Sequence, residues 1–130
     1  MHRRCVQAQA LVEFALAITV FLMLVLGSFD LARAHLAYTV AANAAREASR
    51  YAAAHVGETG WQQNAVQAGR NLAVGVDSSA LSLVATSTNV GGLTYVTVTG
   101  TYEFRSVTPL VGSLLGNPIN MRVDTTVLAG

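Results

Sequence analysis

Few residues of this sequence have the types and spacing that chemistry requires. The three histidines, His2, His35 and His55, are too far apart to suggest a shared site, and no Cys/His cluster has zinc spacing. Neither a Gly-x-Ser-x-Gly elbow, nor a phosphate-binding loop, nor a His-Glu-x-x-His motif occurs. Asp30 and His35 are five residues apart, which puts them off a shared helical face. We therefore predict no catalytic residue, no cofactor and no metal.

One acidic residue, Glu13, interrupts an apolar run at residues 11–29. An acid at the centre of a membrane-spanning helix costs about 2.5–3.5 kcal/mol on insertion scales, so its presence needs an explanation. As a helix the run would be about 28 Å long, which is close to the thickness of a bilayer's hydrocarbon core. We predict that it spans a membrane. The predicted membrane-spanning side chains include Leu11, Leu16, Phe21, Leu24 and Leu26.

The charges at the two ends of the run predict its orientation. Arg3 and Arg4 precede it, and Asp30 and Arg33 follow it. By the positive-inside rule, the N-terminus is cytoplasmic and the remainder is extracytoplasmic. A secretory signal cut after its apolar core would have a core of only about 7–15 residues. A plain signal anchor fits the length but leaves the acid unexplained. The third alternative is a signal cut before the run, which then stays in the protein.

Composition limits the classes of function. The chain has 130 residues, which predicts one small domain plus an appendage, and its formal net charge is +1. A nucleic-acid-binding protein of this size would show a basic stripe with interleaved aromatic residues, and none is present. The single cysteine, Cys5, excludes an intrachain disulfide, and its place before the apolar run argues against a lipoprotein signal.

The helical pattern continues beyond the apolar run. Residues 30–55 contain no glycine or proline and are rich in alanine, the strongest helix former. We predict one helix of about 70 Å over residues 9–55, ended by Gly57 and Gly60. The outer half has an apolar stripe that would pack on the protein's own sheet, with helix–helix contact between subunits as a further use. The stripe comprises Leu36, Val40, Ala44, Ala48 and Ala52, with Leu31, Tyr38, Ala41, Ala45 and Tyr51 beside it.

A second, short helix is predicted after the long one. Thr59 and Gln62 have the spacing of a capping box. The helix would extend to about Val74, where Gly75 and Asp77 interrupt the pattern. Its apolar stripe comprises Trp61, Ala65, Ala68 and Leu72.

Three segments, at residues 80–87, 94–105 and 119–128, alternate in the manner of strands and are rich in valine, threonine and tyrosine. Residues 89–92 predict a turn between the first two. An antiparallel sheet would bury its apolar face against the outer half of the long helix. The connector at residues 109–116 is unusually apolar, and two alternatives remain for it: a short helical turn that caps the sheet, or an exposed patch that contacts a membrane or a neighbouring subunit. The predicted apolar face comprises Val96, Val98, Tyr102 and Phe104 with Ile119, Met121, Val123 and Val127.

The N-terminal half carries a resemblance to a known family. The stretch AQALVEF at residues 8–14 resembles the processing motif of Flp, or tight-adherence, type IV pilins, in which a small residue and four others precede a glutamate and an aromatic residue. Joined to the apolar run and to FDLARAHLAYTVAANAAREASRYAA, it is similar to the TadE-like family of minor pilins or pseudopilins. The alanine at position 8 departs from the glycine that is usual there.

The resemblance implies processing and assembly rather than catalysis. A membrane-embedded prepilin peptidase would cut between Ala8 and Gln9, which creates a new ammonium group at Gln9. The carboxylate of Glu13, which Phe14 follows, would then pair with the ammonium group of a neighbouring subunit and set the axial register. The residues alone leave the alternative that Glu13 snorkels to the cytoplasmic headgroups.

The resemblance also implies an architecture, a place and partners. The fold class is α+β and pilin-like: a long N-terminal helix, transmembrane in its first half, packs on an antiparallel sheet of about three strands, with one additional short helix. Residues 1–8 would be a cleaved cytoplasmic leader, residues 9–30 the transmembrane half and residues 31–130 an extracytoplasmic domain. The protein would cross the bacterial inner membrane once and enter an extracellular pilus. Partners would be major and minor pilins, the prepilin peptidase, an inner-membrane assembly platform and membrane lipid, with no nucleic acid.

Other hypotheses remain open at this point. Arg46 and Glu47 are candidate subunit contacts, although a solvated helix face shared with Arg50 is the simpler interpretation. The chain as a whole would alternatively be an uncleaved, bitopic binding or sensor module whose recognition surface is the sheet. An anchored extracytoplasmic hydrolase is a third hypothesis, for which the strands offer mainly threonine and serine.

Overall fold

The computed structural model describes the backbone of residues 2–129 and the side chains of residues 8–109 and 111–129. The side chains of Arg3 and Arg4, on which the predicted orientation partly rests, and that of Cys5 lie outside the described residues. A long helix lies on a three-stranded antiparallel sheet with short helices added, which confirms the predicted α+β, pilin-like fold. The elements are α1 (His2–His55), α2 (Trp61–Asn71), β1 (Leu81–Val90), β2 (Leu93–Phe104), α3 (Pro109–Leu115) and β3 (Ile119–Leu128).

Helix α1 begins at His2, earlier than predicted, and ends at His55 as predicted. The hydroxyl groups in its apolar run are satisfied locally. Thr19 Oγ1 donates to the carbonyl oxygen of Ala15 at 2.7 Å, and Ser28 Oγ donates to that of Leu24 at 2.8 Å. These polar side chains therefore remain compatible with an apolar environment, because their donors are bound to the helix itself.

The sheet has the strand order β1-β2-β3, with both pairs antiparallel. Strands β1 and β2 both extend further towards their connecting turn than predicted, so only Gly91 and Gly92 lie between them. Both glycines have positive φ, 61° and 84°, as a type I′ hairpin turn requires. The two-residue turn thereby fixes the register in which Val90 opposes Leu93.

One face of the sheet packs against α1 and α2. Along β2, Val96 and Val98 have no exposed surface, and Tyr102 and Phe104 are also buried, which confirms the predicted apolar face. The apolar side chains of β3 are half-buried on the same side. Gly100 of β2 belongs to the same buried face, at the point where the strand crosses α1. The side chains that β3 packs against the core are Ile119, Met121 and Val123.

The alanine-rich face of α1 is the centre of the core. Ala44, Ala45, Ala48 and Ala52 are completely buried. A Cβ atom on Gly69 of α2 would lie only 2.6 Å from the carbonyl oxygen of Ala44, so the two helix backbones are in direct contact. The predicted packing of this stripe on the protein's own domain is therefore confirmed for the alanines, with α2 as an additional cover.

Three of the large side chains predicted for that stripe lie outside the core. Leu31 is 72% exposed, Leu36 49% and Tyr38 48%. At about 100° per residue, Tyr38 and Leu31 lie about 100° and about 120° around α1 from the buried Ala37, so they are on the flank of the packed face. The fully buried part of that face consists of alanines, which let other backbones approach closely. The large side chains of the predicted stripe that pack partly buried against the core are Val40 and Tyr51.

Helix α2 corrects the second helical prediction. The N-cap is Gly60, with φ 78° and no side-chain cap, so the capping box predicted from Thr59 does not form. The helix ends at Asn71 rather than near Val74. Leu72 is half-exposed because it lies beyond the helix end, and Gly69 is buried against α1.

The apolar connector forms the short helix α3. Thr108 is its N-cap and Pro109 occupies its first turn, a position where the missing N–H costs nothing. Leu114 and Leu115 are 75% and 70% exposed, so they do not enter the core. The helical turn is confirmed, and its side chains at the same time form an exposed apolar patch.

Candidate functional site: the long helix and the Asp30 clamp

The inner half of α1 exposes its apolar side chains on every side. The five predicted membrane-spanning side chains are between 51% and 69% exposed. This part of the helix is long and apolar enough to cross a membrane, and none of its apolar window is buried within the described protein. Such a surface is unstable in water, so it indicates membrane anchoring. The five residues are Leu11, Leu16, Phe21, Leu24 and Leu26.

Glu13 lies on this exposed surface, one turn from Gln9. The side-chain amide of Gln9 donates to Glu13 Oε1 at 3.5 Å, which is at the outer limit for a hydrogen bond. Ala8 and Phe14 are exposed on the same stretch. One long hydrogen bond from a neutral amide compensates little for transferring a carboxylate into hydrocarbon.

The outer end of the apolar run is marked by a buried acid, Asp30, which is only 3% exposed. Its carboxylate accepts hydrogen bonds from three consecutive residues that follow β2. Ser106 Oγ donates to Oδ2 at 2.7 Å, and the backbone N–H of Thr108 donates to Oδ2 at 2.7 Å. The backbone N–H of Val107 lies 3.2 Å from Oδ1 and 3.1 Å from Oδ2. We call Asp30, Ser106, Val107 and Thr108 the Asp30 clamp.

Arg33 completes the surroundings of the clamp. Its Nη1 atom lies 3.2 Å from Asp30 Oδ1, an ion pair between residues three apart on α1. The guanidinium group also lies over the ring of Phe104, 5.5 Å from its centroid. Arg33 is half-exposed, so its ion pair with Asp30 stabilises little. We therefore expect the buried hydrogen bonds of Asp30 to make the larger contribution to stability here.

The clamp residues on the sheet side were not predicted from the sequence. Thr108 followed by Pro109 is a signal for a helix start, and it would have located the N-terminus of α3. Nothing in the local sequence, however, indicates that Asp30 contacts residues 106–108. Partners at so long a separation along the chain become visible only once the sheet is placed on α1.

Arg46 and Glu47 lie on the outer half of α1, on the side away from the core. Glu47 Oε2 is 3.8 Å from Arg50 Nη1, and Arg46 Nη1 donates to Asn43 Oδ1 at 3.4 Å. Both contacts join residues three apart on one helix surface, as expected for a solvated face. A contact of Arg46 and Glu47 with another subunit stays a prediction.

A cavity of about 260 Å³ lies between α1, the end of β2 and residues 75–80. Its charged lining consists of Arg33, Asp77, Glu103 and Arg105, and its lining contains no serine, cysteine or histidine. Hydrogen bonds from Ser79 lower the pKa of the Asp77 carboxyl. Within the part of the chain whose side chains are described, no three His, Cys, Asp or Glu residues are grouped to hold a metal ion.

Comparison with known proteins gives one match. Residues 8–50 match the TadE-like protein family. No curated protein and no solved structure matches the chain. The matched segment includes Glu13, the exposed apolar run, Asp30 and the first part of the buried alanine face, whereas the sheet lies outside it. Residues 8–50 are therefore a TadE-like family domain, which is consistent with a protein related to the Tad pilus.

Proposed function

We propose that this chain is a non-enzymatic minor pilin or pseudopilin that takes part in assembling a Flp/Tad-type pilus or a related secretion filament. The observation that carries the proposal is the place of the TadE-like match on α1. It covers a helix whose inner half is exposed and apolar and whose outer half begins to enter a folded domain. A subunit that moves from a membrane into a filament needs such a helix.

The exposed side chains of the inner half have two successive environments in this proposal. In the precursor they contact lipid, with the N-terminus in the cytoplasm and the sheet domain outside. In the filament, helices of neighbouring subunits replace the lipid around residues such as Leu16 and Leu24. The exchange is nearly neutral in hydrophobic energy because lipid tails are as apolar as leucine, and side-chain packing then favours the filament.

A prepilin peptidase cuts the precursor between Ala8 and Gln9. The new ammonium group at Gln9 then lies at the inner end of the helix, one turn from Glu13. In a stack of subunits shifted along the filament axis, this ammonium group meets the Glu13 carboxylate of the neighbour. An unpaired charge in a low-dielectric medium is strongly destabilising. A subunit in a wrong axial position would leave both charges unpaired. The pair therefore selects the register.

The partners follow from this sequence of environments. The prepilin peptidase and an inner-membrane assembly platform act on the membrane-bound form, which contacts lipid. The major pilin and other minor pilins contact the exposed inner half in the filament. Arg46 and Glu47, on the exposed side of the outer half, are available to a neighbouring subunit after extraction from the membrane.

The test of the proposal is the incorporation of Glu13 variants into filaments sheared from cells. Glu13→Ala and Glu13→Gln should insert into the membrane normally, because both remove a charge from an apolar segment. Both should be strongly depleted from filaments relative to the wild type. Val12→Ala, at the neighbouring exposed position, is the matched control and should incorporate. Normal incorporation of Glu13→Gln would contradict the pairing role.

A further inference from the structure

The short helix α3 and the residue before it expose large apolar side chains close to the clamp. Val107, just before it, is 72% exposed, and Leu114 and Leu115 at its end are 75% and 70% exposed. From Val107 to Asn120 the sequence contains no charged residue. A charge-free segment that leaves large apolar side chains in contact with water is unfavourable in proportion to the apolar surface exposed.

The Asp30 clamp fixes the height of this segment along α1. Thr108, the N-cap of α3, donates its backbone N–H to Asp30, which is the first residue after the exposed apolar run. The seven residues of α3 are about 10 Å long, so all of them lie within about that distance of the outer end of the run. The helix is therefore confined to the zone where hydrocarbon gives way to headgroups.

Val107 lies beside the outer turn of the apolar run. It lines one cavity together with Leu26, Phe29 and Arg33. The order along α1 is thus apolar side chains, the clamp and then a half-exposed cation, as at a membrane interface. The apolar side chains of α3 join the span where a bilayer has its outer boundary.

We infer that α3 is a second membrane-contacting element, which lies in the outer leaflet's interface with Val107, Leu114 and Leu115 inserted among the lipid headgroups and upper acyl chains. The clamp positions α3 against the membrane and thereby sets how the sheet domain stands on the bilayer. This inference rests on the membrane anchoring in the proposed function, and it adds the outer leaflet lipid as the ligand of α3.

Site-specific fluorescence on the full-length precursor in vesicles tests this inference. In a Cys5→Ser background, an environment-sensitive fluorophore is attached at Leu114→Cys, at Leu24→Cys within the span or at Val90→Cys in the β1–β2 hairpin. The vesicles are phosphatidylcholine with a fraction carrying a nitroxide quencher, either near the headgroup or deep in the acyl chain. We expect the headgroup quencher to reduce emission at Leu114→Cys, the deep quencher at Leu24→Cys, and neither at Val90→Cys.

The alternatives give different patterns. If the Leu114→Cys label is quenched only by a water-soluble quencher, as at Val90→Cys, while Leu24→Cys responds to lipid, the inference is wrong and the anchor stands. The Leu114→Cys label could instead be protected from both the lipid and the water-soluble quenchers, with the protection lost when the protein is diluted in lipid. That result would assign α3 to a neighbouring subunit and would equally overturn the inference. If Leu24→Cys shows no lipid quenching, the anchor and the inference both fail.

A second measurement tests the role of the clamp. Asp30→Asn keeps the side-chain shape but replaces one acceptor oxygen with a donor that faces the N–H groups of Val107 and Thr108. We expect the lipid quenching at Leu114→Cys to be lost while that at Leu24→Cys is unchanged. Trp61 emission checks that the domain of Asp30→Asn is folded. If it is folded and the lipid quenching at Leu114→Cys is unaltered, the clamp does not position α3.

Discussion

Both halves of α1 are helical, but the inner half exposes large side chains whereas the outer half buries small ones. In the inner half, large side chains such as Phe21 and Leu24 are more than half exposed. In the outer half, small side chains such as Ala44 and Ala48 are completely buried. Large exposed apolar residues require a nonaqueous surrounding, whereas buried alanines let a second backbone approach. One helix thus contains an exposed apolar segment that indicates membrane anchoring and the centre of a folded domain.

The largest effect expected from this comparison is on Leu83 of β1, which is 5% exposed and reaches between α1 and Gly69. Leu83→Ala should lower the free energy of unfolding of the domain by about 2–5 kcal/mol, because it removes buried methyl groups and leaves a cavity. The measurement is denaturant unfolding in detergent, followed by the emission of the single tryptophan, Trp61, which is buried.

The matched variant in the inner half is Leu24→Ala. Leu24 is 66% exposed, so its truncation should leave the unfolding of the domain unchanged within error. Equal losses in the two variants would mean that the inner half is part of the same folding unit, and the contrast between the two halves would then be wrong.

The clamp lies where the two halves of α1 meet and connects the helix to the segment after β2. Its removal should have the next largest effect on stability. Asp30→Asn leaves the buried N–H groups of Val107 and Thr108 without a charged acceptor, so the domain should unfold at lower denaturant concentration. Proteolysis should also become faster at residues 106–116. The control is Arg33→Gln, which removes only the half-exposed partner and should shift the midpoint much less. A larger shift in Arg33→Gln would contradict the assignment of the buried hydrogen bonds as the main contribution.

Much of this fold could be predicted from the sequence because its signals are local. The alternation of β2, the long glycine-free helix and the apolar run each depend on residues close together in the chain. Glu13 was recognised as unusual for the same reason, since a charge in an apolar run is visible in one dimension. The cap of α2 was predicted wrongly because Gly60 adopts a left-handed backbone conformation, with no side-chain cap.

The clamp could not be predicted because it joins residues that are distant in the chain. The sequence shows that Asp30 and Arg33 follow the apolar run, but the burial of Asp30 depends on residues 106–108. The rotation of α1 on the sheet was a second unpredictable quantity. It decides that Ala37 is buried and that Tyr38 is half-exposed, and both residues are equally compatible with a helix.

Two helical glycines sharpen the comparison with a smaller effect. A Cβ atom on Gly69 would lie 2.6 Å from the carbonyl oxygen of Ala44, whereas one on Gly27 would meet nothing within 4 Å. Gly69→Ala should destabilise the domain by about 1 kcal/mol, because overpacking of about 1–3 kcal/mol exceeds the gain of nearly 1 kcal/mol in helix propensity. Gly27→Ala should not destabilise it. The measurement is the same unfolding curve, and a stabilising Gly69→Ala would show that α1 and α2 are not in direct backbone contact.

The smallest effect is expected on the outer face of the sheet, away from α1. Arg122 and the hydroxyl of Thr99 lower the pKa of the Asp124 carboxyl. Since this pKa is lower in the folded state, the contribution is present above the unfolded value of about 3.9 and is lost as pH falls through the folded value. Asp124→Asn should therefore lower the stability slightly at neutral pH and less in acid, which reduces the loss of stability on acidification. Unfolding curves from neutral pH to about pH 2 measure this, and an unchanged acid dependence would contradict the linkage.

The central claim is that the exposed inner half of α1 is retained in the working protein and is trimmed only at its inner end. The most direct test is the intact mass, with N-terminal sequencing, of the membrane-bound and filament-bound protein from cells that contain the prepilin peptidase. The account predicts a chain that begins at Gln9 in both fractions. A chain that retains Arg3 and Arg4 in the filament, or one that lacks residues 9–29, would contradict it.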